Sequence, residues 1–428
     1  MTLRHSTSLF ILSVFCALVL PLHDIFNYLF SGTPLVVWKQ LLALFLILSF
    51  FYFIEAVRAG DGNLKFVKIL SRFLVYIVLF WIIASFVSGI SPRRIVYGLF
   101  AYIGFISFLV AAYVGELRGK PLFLFQIFQW LSIICSAGVV IDYLAPFLDF
   151  LPRSSGIDYD TQISKGYLRR GAFLFGTSTT IFPFLSLGVL SGGVIYLNNP
   201  KPKQALIALF SMAAALSACY ASASRANLLL MVGFAAIFSI VVFGNRRFIK
   251  LIPFLFLFVV VFWMFEISGG SLFQDAILRS RYEDVFSEDS VGNTTRFSAW
   301  ARGLELFLSF RIEVFLGSGV GTTLGMVNDG FRSAGHFESS FFQAFYEGGL
   351  VGLFARFLPG VFALYYLISS GVFLKSLGLL TFSWIVFYLA SVVSAPTAAA
   401  YHTQMVYFFV CGWVLVGGCR RFVEVRQY

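Results

Sequence analysis

The sequence predicts an all-α polytopic membrane protein of about twelve transmembrane helices, at about 20 apolar residues per crossing. Three observations carry that expectation. The 428 residues are 59% hydrophobic and only 12% charged, with a mean hydropathy of +0.88; soluble domains run near about a quarter charged. Phenylalanine contributes 54 residues, spread over the whole length. Lys and Arg recur in short turns between apolar runs, the pattern of a chain threaded back and forth through a bilayer.

Apolar runs long enough to cross lie near 9–30, 35–55, 66–90, 95–114, 121–144, 172–197, 205–220, 227–243, 249–267, 350–369, 372–391 and 403–418. The basic turns set the orientation. With the N-terminus in the cytoplasm, alternate connections carry Arg58 and Lys65, Arg118 and Lys120, Lys201 and Lys203, then Arg246, Arg247 and Lys250. Lys375 follows, and then the tail with Arg420, Arg421 and Arg426. Basic residues outnumber acidic ones in each, as cytoplasmic turns require. Arg93 and Arg94 are the exception, on the outer side. Both termini are therefore expected in the cytoplasm, and residues 1–428 as one transmembrane domain. Two outer connections are long: 145–171, and a large one at 268–349, before the last three spans. Long insertions of this kind are usually functional or disordered. The larger is expected to be folded, with Phe297, Trp300, Leu304 and Phe307 at helical spacing on a face turned to the membrane domain.

The formal net charge of +11 is not a nucleic-acid signal, because the cations sit in turns where they set topology and meet anionic headgroups. Cys16, Cys135, Cys219, Cys411 and Cys419 lie in or beside apolar runs. They have neither CxxC spacing nor a nearby His, so buried small residues are expected rather than a zinc site or disulfides. The opening MTLRHSTSLFILSVFCALVLPLHD starts basic and runs apolar, as a signal peptide does. The run continues through Phe30 without a clean small-x-small site, so a retained first helix is expected.

Arginine concentrates on the outer side. Arg169 and Arg170 precede the sixth span, Arg225 opens the eighth, Arg296, Arg302 and Arg311 lie in the large connection, and Arg332 comes just before His336. A guanidinium binds phosphate oxygens in a bidentate way and does not deprotonate, which suits a lipid-pyrophosphate headgroup and the charge that develops as it leaves. Arg169 and Arg170 also suit interfacial anchoring, and Arg302 and Arg311 suit pairing with Glu305 and Glu313 as solvated helix charges. Arg225 stands among Ala221, Ser222, Ala223 and Ser224, small residues that allow close packing and turn it to the bundle.

The segment GHFESSFFQAFYEGGLVG places His336, Glu338 and Glu347 ahead of an apolar span. A carboxylate or imidazole there can take the proton of a sugar hydroxyl as it attacks. Glu338 with Ser339 also reads as helix capping, and Glu347 as the residue that holds a turn before Gly348–Gly349. The glycines of LGSGVGTT follow no strand and open no helix with Lys, so a nucleotide loop is not expected. HExxH, GxSxG and Walker patterns are absent from the sequence. The nearest approach to a metal-holding acidic pair, Asp158 and Asp160, falls on the outer side, away from nucleotide sugars.

Four stretches in order, RRGAFLFGTSTTIFPF, SRANLLLMVGFAA, TRFSAWARGLELF with LGSGVG, and ESSFFQAFYEGGLVG, resemble the superfamily of bacterial O-antigen ligases and Wzy-type polysaccharide (O-antigen) polymerases. The resemblance covers roughly the second half of the chain. It implies a GT-C-like helical glycosyltransferase of the inner (cytoplasmic) membrane. Such enzymes work in the periplasm on undecaprenyl-pyrophosphate-linked glycans, without metal or other cofactor. The ligase pattern has His-Asn with Glu and Gly further on; aligning Glu347 and Gly349 with the latter puts Glu338 at the histidine's place. The Glu-Ser start resembles polymerases more. The expectation is therefore polymerisation of lipid-linked repeat units in polysaccharide biosynthesis. Arg225 with Glu338 or His336 would be catalytic, and Arg169, Arg170, Arg296, Arg302 and Arg332 would bind substrate. The alternatives are a ligase with lipid A-core as acceptor and, from another class, a lipid-linked sugar transporter or flippase. Expected partners are the lipid-linked donor, a glycan or lipid A-core acceptor, membrane lipids and a chain-length regulator, with no nucleic acid.

Overall fold

The computed structural model describes residues 121–144, 181–222, 224–244, 339–394 and 401–419, with single positions at 33 and 173 and scattered ones over 72–89 and 301–319. Among these the secondary structure is helical, with no strand. In chain order the helices are α1 (Pro121–Leu144), α2 (Phe182–Asn198), α3 (Pro202–Ala221) and α4 (Arg225–Phe243). A one-turn α5 (Glu313–Leu316) follows, then α6 (Ser340–Ser369), α7 (Ser376–Ser394) and α8 (Tyr401–Leu415). By length and hydropathy four of them are candidates to cross a membrane, and a fifth if the bent α6 counts as one span.

Five expected spans reappear within a few residues of their ends, as α1, α3, α4, α7 and α8. Two differ. Within the run 172–197 the described helix α2 begins at Phe182, where Pro183 occupies the first turn, a position that tolerates a missing N–H; residues 172 and 174–180 lie outside the described residues. The run 350–369 is joined across Gly349 to a helical arm, 340–348, within the large connection; the arm begins directly after Ser339, where the Glu338–Ser339 pair also reads as a helix cap. Spans 9–30, 35–55, 95–114 and 249–267 lie outside the described residues, and 66–90 is represented by helical positions between 72 and 87.

The central helix is α2. It is buried on all sides from Phe182 to Ile195 and packs against α1, α3, α4, α7 and α8. Small residues make this possible. Gly188 of α2 meets the Ser132 side chain of α1, Gly192 faces Ala208 of α3, and Gly193 faces Leu380 of α7 and Phe238 of α4. Water does not drive helices together inside a bilayer, so close backbone approach and interhelical hydrogen bonds must. The Ser132 hydroxyl donates to the Leu185 carbonyl at 3.1 Å, and Trp384 Nε1–H of α7 donates to Ser186 Oγ at 3.0 Å. Phe125 and Phe128 of α1 pack edge-on or tilted against Phe409 of α8. The outer faces are equally apolar: Phe123, Trp130, Ile134 and Ile141 of α1 are exposed at helical spacing, as are Leu229, Val232 and Ile240 of α4. An apolar stripe of this extent suits contact with lipid rather than water. These are helices of a membrane protein.

Candidate functional site

The register of the helices brings one set of ends together. Ser132 meets Gly188 while Gln129 meets Gly192, so α1 and α2 run antiparallel, and a short turn at Asn199–Lys201 reverses α2 into α3. A turn from Ser222 then reverses α3 into α4. Phe234 packs against Phe387 while Phe238 and Leu380 share Gly193, so α4 and α7 are also antiparallel. The end of α1, the start of α2, the end of α3, the start of α4 and the end of α7 therefore share one face of the bundle. At the α1 corner, Asp142 Oδ2 accepts the Phe173 backbone N–H at 3.0 Å, and the Phe173 ring lies over Gly138. Phe173 itself has φ +46°, the left-handed region that a bulky residue occupies only when its surroundings hold it there.

Helix α6 is two arms, 340–348 and 350–369, separated by Gly349 at φ 57°, ψ −153°. A straight helix would hold Ser340 and Arg356 about 24 Å apart, at ~1.5 Å per residue. Instead Arg356 Nη1 donates to the Ser340 carbonyl at 3.3 Å, and Phe341 stacks on Phe357 with centroids 5.9 Å apart. The first arm therefore folds back along the second, about a tip at Gly348–Gly349. The LGSGVG stretch is the seat for that tip. Gly317 and Gly319 have φ of 72° and 106°. A Cβ on Gly317 would strike the Glu347 carbonyl and Gly348 nitrogen, and one on Gly349 would strike the carbonyls of Val314 and Phe315. Gly319 N–H donates to the Glu347 carbonyl at 2.9 Å. These glycines thus serve backbone-to-backbone packing. Glu347 is buried at the tip.

The start of the first arm is buried, not at an open rim: Ser339 and Ser340 are both inaccessible. Ser339 is the N-cap residue by backbone position, yet its hydroxyl makes no capping bond and points to the Val392 carbonyl of α7 at 3.5 Å. The arm thus begins against the end of α7, and α7 is the helix along which α4 leads back to Arg225. Arg356, 5% exposed, is a cation inside an apolar run, and sequence reading passes over it because one charge barely lowers the mean hydropathy of a span. The signal that finds it is simple: an ionisable group within a membrane helix is a functional candidate by default.

Arg225 is the first residue of α4, at the face shared with the end of α7. Glu338 directly precedes Ser339 in the chain; Glu338, His336, Arg169, Arg170, Arg296, Arg302 and Arg332 lie outside the described residues. Of the expected amphipathic helix in the large connection, Ala301, Leu304, Glu305 and Leu308 are helical. Leu304 and Leu308 are exposed, and Phe297, Trp300 and Phe307 lie outside the described residues.

Residues 209–357 match the family model described as O-antigen ligase. The matched stretch runs from within α3 through α4 and the large connection to the Arg356 turn of α6. It includes Arg225, Arg296, Arg302, Arg332, His336 and Glu338, while Arg169 and Arg170 precede it. No curated protein matches the chain. The match supports the superfamily of O-antigen ligases and polymerases that the sequence resembles.

Proposed function

We propose that this chain, matched over residues 209–357 to the O-antigen ligase family, polymerises undecaprenyl-pyrophosphate-linked oligosaccharide repeats at the periplasmic face of the bacterial inner membrane. In this reading residues 1–428 form one GT-C-like transmembrane domain of about twelve helices, with both termini cytoplasmic and the connections 145–171 and 268–349 periplasmic. The non-reducing-end hydroxyl of one repeat attacks the anomeric carbon of the growing chain. A new glycosidic C–O bond forms and the bond from that carbon to the pyrophosphate oxygen breaks. Glu338, or else His336, takes the hydroxyl proton, and undecaprenyl pyrophosphate leaves with the electron pair. Arg225, with Arg169, Arg170, Arg296, Arg302 and Arg332, holds the pyrophosphate and offsets the charge developing on it. Arginines supply that charge without a metal.

The observation that carries the reading is the family match over the stretch that contains Arg225, the large connection and Glu338. Glu-Ser at the place of the ligase His-Asn favours polymerisation. The description of the matched family favours the second reading, a ligase that passes the glycan to lipid A-core. A transporter or flippase is disfavoured by the one-sided distribution of polar residues along the sequence.

Glycan analysis of a deletion strain separates these readings. Loss of long chains with single repeats still on lipid A-core is the polymerase result. Loss of every attached repeat, with polymer accumulating on undecaprenyl pyrophosphate, is the ligase result. Complementation with Glu338→Ala or Arg225→Ala is expected to fail; normal chains from both variants would remove the assigned residues from the mechanism.

A further inference from the structure

We propose that Arg356 is a positioning residue, whose guanidinium fixes the buried start of the first α6 arm, the backbone that directly follows Glu338 in sequence. The proposal rests on the transferase reading for its consequence, but on geometry for its substance. Arg356 and Ser340 belong to opposite arms of the hairpin, and the 3.3 Å bond from Nη1 to the Ser340 carbonyl ties them together. Two further contacts define the same level of the bundle: Phe341 stacked on Phe357, and Tyr407 of α8 donating from its hydroxyl to the Phe357 carbonyl at 3.2 Å. The second arm is thus held by α8, and Arg356 transmits that position to the first.

At its start the first arm has no side-chain cap of its own, its first turn contains no acidic residue, and Gly349 at its far end has the broadest backbone freedom of any residue. Among the arm's ties are the seat on α5, the Ser339 contact with α7 and the Arg356 clamp. The residue adjacent in sequence to the clamped turn is Glu338, one residue before Ser339, and its Cα is fixed within about 3.8 Å of the Ser339 Cα by the covalent chain. A base must lie within hydrogen-bond reach of the proton it takes, and a displacement of about 1 Å can cost about a hundredfold in rate. A clamp on the next turn of backbone is therefore a direct lever on the position of the carboxylate.

The bland alternative is that Arg356 merely fills space. The two roles part on substitution. Replacing a buried cation with an apolar side chain of similar length is often neutral or stabilising, so a space-filling Arg356 tolerates methionine. A clamp does not, whereas lysine retains a charged donor able to reach a carbonyl.

The test uses the purified full-length protein in proteoliposomes, with an undecaprenyl-pyrophosphate-linked oligosaccharide as donor and acceptor. Amide hydrogen exchange is followed in parallel on the same samples. Arg356→Met is expected to lower kcat at least tenfold with KM for the lipid-linked substrate within about twofold. Exchange over 340–348 should quicken at least tenfold, while α2 to α4 keep their protection. Arg356→Lys is expected to restore both readouts to within threefold of the parent. Wild-type turnover and exchange in the methionine variant overturn the proposal, and so does a general loss of protection in both variants, which marks a packing role. If the parent protein itself turns over no lipid-linked saccharide, the transferase reading falls. The exchange over 340–348 then still decides whether Arg356 clamps the arm.

Discussion

Gly349 shows how a single residue fixes the geometry of the site. Its φ of 57° and ψ of −153° lie in a region that only glycine occupies without strain, and its missing Cβ admits the Val314 and Phe315 carbonyls. Both demands follow from folding an arm back while the tip rests on another backbone. Gly349→Ala should therefore lose the hairpin as well as stability: about 1–3 kcal/mol from the backbone term alone, with more from the clash. Thermal unfolding in detergent checks the stability, and amide exchange at 340–348 checks the hairpin. An alanine variant with parental melting and protection would contradict the geometry. At this scale the sequence was half legible. The Gly348–Gly349 pair is visible as a turn, and Glu347 as the residue before it. That LGSGVG is its seat was not, because the two glycine sets lie about thirty residues apart and nothing local pairs them.

At the scale of elements, a hydrogen bond joins α7 to α2 and a column of rings joins α7 to α8. Trp384 is buried and donates to Ser186 Oγ, it stacks on Tyr388 one turn on, and Tyr388 stacks on Tyr407 of α8 with centroids 4.3 Å apart. Interhelical hydrogen bonds inside membrane proteins average about 0.6 kcal/mol and reach about 1.7. Trp384→Phe keeps an aromatic ring but loses the donor, so a loss of about 1 kcal/mol is expected, read as a lower melting temperature. Ser186→Ala added to it should cost less than it does alone, because both changes remove the Trp384 bond and only the Ser186 bond to the Pro183 carbonyl is left to lose; fully additive losses would show that the Trp384 bond is not the coupling. Elements such as α1 and α4 were readable because an apolar run of membrane length constrains a helix at both ends. By hydropathy alone the break in α6 at Gly349 was not. Hydropathy counts apolar residues and is blind to Phe173, turned into the left-handed region and tied to Asp142, and equally to a break inside a run.

For the whole molecule, the antiparallel register of α1 to α4 with α7 places the start of α4 and the end of α7 on one face, and the first α6 arm begins against that end of α7. Sequence reading predicts the same collection from a different source, the alternation of basic turns, and the two arguments are independent. The start of the α6 arm is buried between α7 and the returning second arm, where water is scarce and electrostatic effects are strong. Position inside such a bundle is a property of tertiary packing, so a sequence read span by span has no means to assign it.

The most direct test of the central claim is the product formed by the purified protein from a synthetic undecaprenyl-pyrophosphate-linked repeat unit. The reaction is run in proteoliposomes, with and without a metal chelator, and resolved by size. Polymerase activity gives a ladder of lipid-linked glycans rising by whole repeats. The ladder should be unchanged by chelator and absent from Glu338→Ala. Substrate left intact by a folded protein, or a ladder that survives loss of Glu338, would contradict the central claim.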